Sequence, residues 1–433
     1  MFSKCVSEIL QLLGQLLVFV IKMCSSAKRG DAATPPYAFR AFRYEKVHPS
    51  EDSNSKCPFP RSGHRIGADL SNFYSFGGYN PVVRDDEDEN DEDDFWVQSY
   101  PLFQELWKFN FASRKWTKFR NSETLPKELA SNALVLHGNI LMVYSCVYGG
   151  TGSPFGMRCS NQLYVCKIND ESNIMTEVNT TGQLPLPLYG QALIFHNDYL
   201  YTIGGTTGLS YTCDIHRLNM KTLNWEIVYL CNGLGDYEPK GRYRHEVGFD
   251  GRYIYVLGGG TTEEAYGFQY IPAFDIEKNV WLKQKTIRDV TRGYPEPRRC
   301  HGAVQITSTS SVQLFITGGH DGEDIFNDLW RLDLVTYQWT YFSLCKLPQP
   351  TYFHATAATP EGKLYVFGGN YSVDEDVRRS NDVYSTWLCI PKLSEISWEA
   401  VLHYSPRLHK LDASELIDLG LPRRFLQRLD RNA

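Results

Sequence analysis

Four arginines sit in two short stretches of this 433-residue chain, Arg242-Tyr243-Arg244 ahead of His245 and Arg298-Arg299 ahead of His301. A guanidinium presents its N–H donors as a rigid fork that matches a carboxylate two bonds at a time. Such residues suit the holding of a terminal carboxylate rather than the making or breaking of bonds. Tyr189, Tyr243 and Tyr352 add apolar walls that carry a hydroxyl. Tyr79, Asn80, Thr206, Thr207, Thr261, His320 and Asn370 add polar groups just after paired glycines. Arg242 and Arg298 recur at one place in successive repeats, so structural and ligand roles are both open for them. Arg244 and Arg299 fall off that repeat, and a ligand role is favoured. No Ser/His/Asp set, phosphate loop or carboxylate pair can be placed, and nothing in the pattern calls for a cofactor.

The elements that must position these side chains are set by repetition. Double glycines occur at Gly77, Gly149, Gly204, Gly258, Gly318 and Gly368, separated by 72, 55, 54, 60 and 50 residues, and each ends a short β-rich run. This is the spacing of a kelch repeat, whose period is about 50. The unit reads Arg-x-x-His, strand, turn, strand ending in Gly-Gly, loop, strand, turn, and a Trp-bearing strand. Unit four shows it in Arg242 to His245, Gly258-Gly259 and Trp281; Trp116, Trp225 and Trp339 hold the equivalent place in units one, three and five. Unit two has Met175 there and a long second strand, which predicts a bulge or shifted register. Unit six lacks a clean fourth strand, so closure needs one from the other end of the chain, around Tyr37 to Val47. Each unit is a four-stranded antiparallel sheet too apolar to stand alone, and radial packing hides its faces. The fold expected is all-β, a six-bladed kelch-type β-propeller over residues 36–390, with an acidic loop insert at 84–95. The glycine pairs, the Trp series and His64, His245, His301 and His354 are read as structural. The loops before each His and after each Gly-Gly gather at one end of the central channel, an arrangement that suits one end of a peptide.

After Pro391 the apolar period changes from 2 to 3.6. Leu393, Ile396, Trp398, Val401 and Leu402 make a stripe, Asp412 to Glu415 reads as a capping box, and Leu421-Pro422 opens a last helix. Residues 391–433 are thus a short α-helical box. Residues 1–35 form a leader that is disordered or peripheral. Its run Ile9 to Ile21 resembles a secretory h-region and is too short to span a bilayer. Against secretion, eleven scattered cysteines without a C-x-x-C pair imply a reducing compartment, cytoplasmic or nuclear. The net charge is −6, of which Asp85 to Asp94 alone supplies nine acidic residues. Neither that value nor the mildly basic remainder supports a nucleic-acid partner, and nothing calls for a membrane partner.

Several strings carry a closer likeness: Pro60-Arg-Ser-Gly-His64, Phe76-Gly-Gly-Tyr-Asn-Pro81, Tyr100 to Trp107, Leu134-Val-Leu-His-Gly138, Gly149-Gly-Thr-Gly152, Gly204-Gly-Thr-Thr-Gly208, Arg242-Tyr-Arg-His-Glu246 and Arg298-Arg-Cys-His301. On these the chain, over about residues 58–430, resembles the kelch domain-containing protein 10 family, kelch-repeat substrate receptors of cullin-2 RING ubiquitin ligases. The leader and acidic insert are not part of the likeness. The resemblance implies that the propeller captures substrate C-terminal peptides (C-degrons ending in a small residue such as Gly or Ala) and that the tail binds elongin B/C. Leu393, Ser397 and Val401 match the adaptor-binding box, although Lys392 departs from the small residue or Pro that usually precedes it. Leu421, Pro422, Phe425 and Leu429 resemble the neighbouring cullin-selecting box. The same helix face could instead simply pack on the propeller.

Two other classes remain in view. A kelch scaffold, for instance a cytoskeletal one, would have the propeller without ligase partners. A copper–radical kelch oxidase would need two His, two Tyr and a cross-linked Cys, whereas the histidines here recur at the repeat position and show no metal spacing.

Overall fold

The computed structural model describes residues 35–50, 56–81, 102–119, 124–126, 130–144, 159–168, 174–374 and 376–429. The leader up to residue 34, the acidic insert, Gly149-Gly150 and the expected overlong part of unit two's second strand lie outside them.

Six antiparallel sheets form a closed ring. Their innermost strands are Arg65–Ala68, Ala133–His137, Ala192–His196, Glu246–Phe249, Gly302–Thr307 and Ala355–Ala358. Each contacts the next, and the sixth contacts the first. Blades one and four are therefore opposite. Buried clusters occupy all six interfaces between neighbouring blades. In one, Tyr255, Leu257 and Phe268 of blade four meet Leu314, Trp330 and Trp339 of blade five. This is the nearest-neighbour burial that lets apolar sheets share one fold.

Register explains the tryptophans. Trp116, Trp225, Trp281 and Trp339 lie opposite Phe109, Leu218, Phe274 and Leu332 on the third strand of their blades. In blade two Met175 takes that place opposite Cys166 and is buried between blades one and two. Blade six takes its outermost strand from the other end of the chain. Glu45–Val47, inside the stretch expected to close the ring, pairs antiparallel with Val383–Trp387. Two features escaped the sequence. Blade three carries a fifth strand, Thr181–Gly182, parallel to Asn224–Tyr229. Blade six carries a separate hairpin, Asn370–Val373 with Asp376–Arg379, directly after its glycine pair.

The glycine pair and the histidine form one clamp. In blade four a Cβ on Gly258 (φ +55) would lie 2.5 Å from the Arg298 carbonyl oxygen and 3.0 Å from the His301 ring. A Cβ on Gly259 (φ +75) would lie 2.5 Å from His245 Cβ. Only glycine fits both positions, because each pair is pressed by its own blade's histidine and by the next.

Three helices follow the propeller: α1 (Leu393–Tyr404), α2 (Ala413–Asp418) and α3 (Arg423–Leu426). The capping box at the start of α2 is present, with the Asp412 backbone N–H donating to Glu415 at 3.1 Å. Trp398, Val401, Leu408, Leu416, Leu421, Phe425 and Leu429 bury one another against Ala112 of blade one. Arg428 closes the module with a two-pronged bond to Glu395 (2.6 and 3.0 Å). Lys363 of blade six pairs with Glu399 of α1, and the Tyr37 hydroxyl donates to that carboxylate at 2.9 Å. The segment that closes the ring thus also grips the first helix. Among the described residues no helix is long and apolar enough to cross a membrane.

Candidate functional site at the channel mouth

The outermost tier is a repeated exchange of backbone bonds. The residue two places before the histidine position pairs with the residue just after Gly-Gly: Ser62 with Tyr79, Tyr189 with Thr206, Tyr243 with Gly260, Arg299 with His320, and Tyr352 with Asn370. Bonds of 2.7–3.2 Å run in both directions. Seven predicted site residues are brought together in this rim: Tyr79, Tyr189, Thr206, Tyr243, Arg299, His320 and Tyr352. Their rings form two arcs. Tyr243 meets Tyr189 edge-on at 6.0 Å and Tyr211 at 5.5 Å. Tyr352 lies 4.7 Å from His320 and 5.5 Å from Phe353. Burial, with help from the positive charge of Arg299, pushes His320 down to about 4, so its imidazole is neutral. Thr206 corrects its reading. It is fully buried, and its hydroxyl donates to the Ser210 carbonyl (2.7 Å) and accepts from the Gly208 N–H (2.9 Å), so only its backbone joins the rim.

One step inward lies a belt. The residues immediately before the histidine position are Gly63, Ser131, Gly190, Arg244, Cys300 and Phe353, and all six have φ between +53 and +69. Backbone bonds link them from blade to blade: Ser131 N to Gly63 O, Gly63 N to Phe353 O, Phe353 N to Cys300 O, Cys300 N to Arg244 O and Arg244 N to Gly190 O, at 2.8–3.1 Å. Four non-glycine residues held in the left-handed region cost about 1–3 kcal/mol each. This run of five blade-to-blade bonds over-determines them and fixes what points inward. Arg244 reaches across from blade four. Its guanidinium lies 4.7 Å over the Phe353 ring of blade six and donates to the Ser131 hydroxyl of blade two. Below the belt, Arg65 of blade one and Glu246 of blade four meet at 2.5 Å.

The four arginines divide cleanly. Arg298 is fully buried; it donates to the Gly318 carbonyl (3.1 Å) and grips Asp328 at 2.5 and 3.0 Å. Arg242 donates to the carbonyls of Gly258 (2.9 Å) and Lys240 (3.1 Å) beneath Tyr266. Arg61 of blade one repeats this arrangement on Gly77 and Glu105. These three pin each blade's glycine turn, so Arg242 and Arg298 are structural and are removed from the ligand set. Arg244 and Arg299 are also buried, yet among the described residues neither has a carboxylate in contact, and the Nε of each lacks an acceptor. Arg299 bonds the carbonyls of Thr261 and Glu264. Burial, then the positive charge of Arg65, lowers the pKa of Arg244 below the usual guanidinium range. A buried cation with no carboxylate in contact carries a desolvation cost that is only partly met, and a ligand carboxylate would meet the rest.

Sequence reasoning missed Ser131, Cys300, Phe353, Arg65 and Glu246. The signal was present in the column just before the histidine position, where no consensus residue recurs.

The tail residues are divided as well. Leu393 is 52% exposed and Ser397, half-buried, donates to the Leu393 carbonyl at 2.8 Å. Val401, Leu421, Phe425 and Leu429 are buried inside the module, with Trp398 stacked on Phe425 at 4.9 Å, while Pro422 is half-buried ahead of α3. The positions Leu393, Ser397 and Val401 therefore do not form one uniformly presented face. In this conformation a partner would meet the first two.

Ring, rim and clamp define a kelch-repeat propeller, an interaction module. The KLHDC2/KLHL20/DRC7 Kelch-repeats domain matches residues 37–205, 146–309 and 207–403. The chain is 42% identical over 413 residues to the Kelch domain-containing protein 10 homolog of Drosophila melanogaster, covering 91% of this chain and 66% of that one. It is 41% identical to Kelch domain-containing protein 10 of Xenopus tropicalis (86% of each chain) and of Homo sapiens (86% of this chain, 80% of that one). The chain belongs to the kelch domain-containing protein 10 family.

Proposed function

We propose that this protein is the substrate-recognition subunit of a cullin-2 RING ubiquitin ligase, a non-catalytic receptor that takes C-terminal peptides ending in a small residue into the propeller mouth and reaches elongin B/C through α1. The observation that carries it is the pair of buried guanidiniums, Arg244 and Arg299, each with a donor that faces no acceptor among the described residues. A terminal carboxylate supplies the missing charge and acceptors, and the aromatic arcs offer walls for the preceding residues. Arg244 reaches from blade four to Phe353 of blade six and Ser131 of blade two, a crossing that favours a chain end over a threaded internal segment. The ligase half rests on the family resemblance and on the exposed Leu393 at the start of α1. Two measurements test the reading. A random octapeptide library ending in Gly should be retained by the full chain when its carboxylate is free and not when it is amidated. Affinity purification should recover elongin and cullin-2 with the wild type and lose them with Leu393→Ala/Ser397→Asp. A second reading, an interaction protein without a ligase role, is favoured by the burial of Val401, Leu421, Phe425 and Leu429. Recovery of identical partners by both forms would establish it.

A further inference from the structure

The mouth has a floor. The residues that open the innermost strands are Arg65, Ala133, Ala192, Glu246, Gly302 and Ala355. Four are small, and the two long ones stand on opposite blades. For Arg65 and Glu246 to meet at 2.5 Å, both side chains must reach to the channel axis. The charge of Arg65 is felt around the ring. It helps to lower the pKa of His64, His245, His301 and His354, which belong to four different blades, after the burial that dominates each. Arg244, in the belt directly above, is subject to both members of the pair. The recorded bond between them uses one guanidinium nitrogen, Nη1.

We propose that Glu246 is a built-in counter-carboxylate that occupies Arg65 and thereby sets how tightly the mouth holds an incoming chain end. This rests on the receptor reading above. Without Glu246, a guanidinium beneath Arg244 would be released toward the ligand, and the mouth would retain its peptides more strongly. With it, an ion pair joins opposite blades below the belt, and the cationic pull of the mouth is held back by one charge. A receptor that must release one substrate and take the next gains from that restraint.

The test compares free-acid and amidated Gly-ended random octapeptides on the full-length wild type, Glu246→Gln, and Arg65→Gln/Glu246→Gln. Removing one negative charge within several ångström of the ligand carboxylate in a protein-like dielectric should tighten free-acid binding by about tenfold or more. Amidated peptides should not gain. The double variant removes the pair without leaving a lone charge, and should bind within about threefold of wild type. It decides the matter should the single variant not fold. Unchanged or weaker free-acid binding by a folded Glu246→Gln, or a tenfold loss in the double variant, would mean that the pair builds the pocket rather than restrains it, and would overturn the inference while leaving the receptor reading intact. A wild type that fails to prefer free acids removes the receptor reading and this inference with it.

Discussion

The mouth of the propeller and the helical module at its other attachment both collect arginines and aromatic rings, yet they treat polar groups in opposite ways. In the module every buried charge with a described contact has its complement: Arg428 with Glu395, Glu399 with Lys363. At the mouth Arg244 and Arg299 are buried with no carboxylate in contact among the described residues. Buried groups in a finished protein are satisfied as a rule, so a site built to bind is marked by what it leaves open. By that criterion the module's core is packing, and the mouth is where the proposed ligand would supply what the protein leaves open.

Acid should disturb the mouth side most. His64, His245, His301 and His354 are buried under the glycine turns; burial above all holds His245 at about 3, His354 at about 4 and the other two well below the usual 6.5. The unfolded chain binds protons below about pH 6.5 that the folded chain refuses. Stability is therefore full above that value and falls as pH drops toward 4, by on the order of 1 kcal/mol per histidine for each unit. Urea unfolding at pH 7 and pH 5 measures this. A flat profile would show that the histidines are not held neutral.

Next in size is the loss of a satisfied arginine. Arg298→Ala leaves Asp328 and the Gly318 carbonyl without their partner and should cost about 3–5 kcal/mol. Phe425→Ala should cost a similar 3–5 kcal/mol, but from the module, read as early proteolytic release of the tail. If both variants destabilise the propeller alone, the tail is not the separately packed unit described here.

The sequence made the ring, the closing strand and the capping box legible, because they depend on period, β-pattern and local spacing. It separated Arg244 and Arg299 from the repeat, but it could not decide Arg242 and Arg298: whether a guanidinium faces a carbonyl or the channel depends on how the glycine turn 16 to 20 residues on folds back over it. The Arg65–Glu246 pair was hidden for the same reason, its partners being 181 positions apart. The Thr206 side chain was misjudged because its hydroxyl is claimed by its own hairpin, a bond that residue type alone does not reveal.

Arg244→Met sharpens the contrast. It removes a buried charge that no described carboxylate contacts and keeps an unbranched side chain on a residue whose φ is +53. A buried charge whose desolvation no contacting carboxylate repays costs stability, so the melting temperature should hold or rise. Binding of free-acid peptides should fall by about a hundredfold, the value of a charge-assisted bond of about 2–3 kcal/mol. A variant that loses stability along with binding would place Arg244 with Arg298, as a structural residue.

The smallest effect on stability is expected at the exposed edge of α1. Leu393 is half open to solvent, and Leu393→Asp adds an acid to the first turn of a helix, where the macrodipole favours negative charge by about 0.3–1 kcal/mol. The lost apolar contact and the gained dipole interaction nearly cancel, so unfolding should shift by less than about 0.5 kcal/mol. Elongin recovery, by contrast, should vanish, since a charge would be driven into an apolar interface with no partner. That pairing of unchanged stability with lost association separates a docking residue from a packing one. Val401→Asp, two turns further along α1 and buried, should lose both.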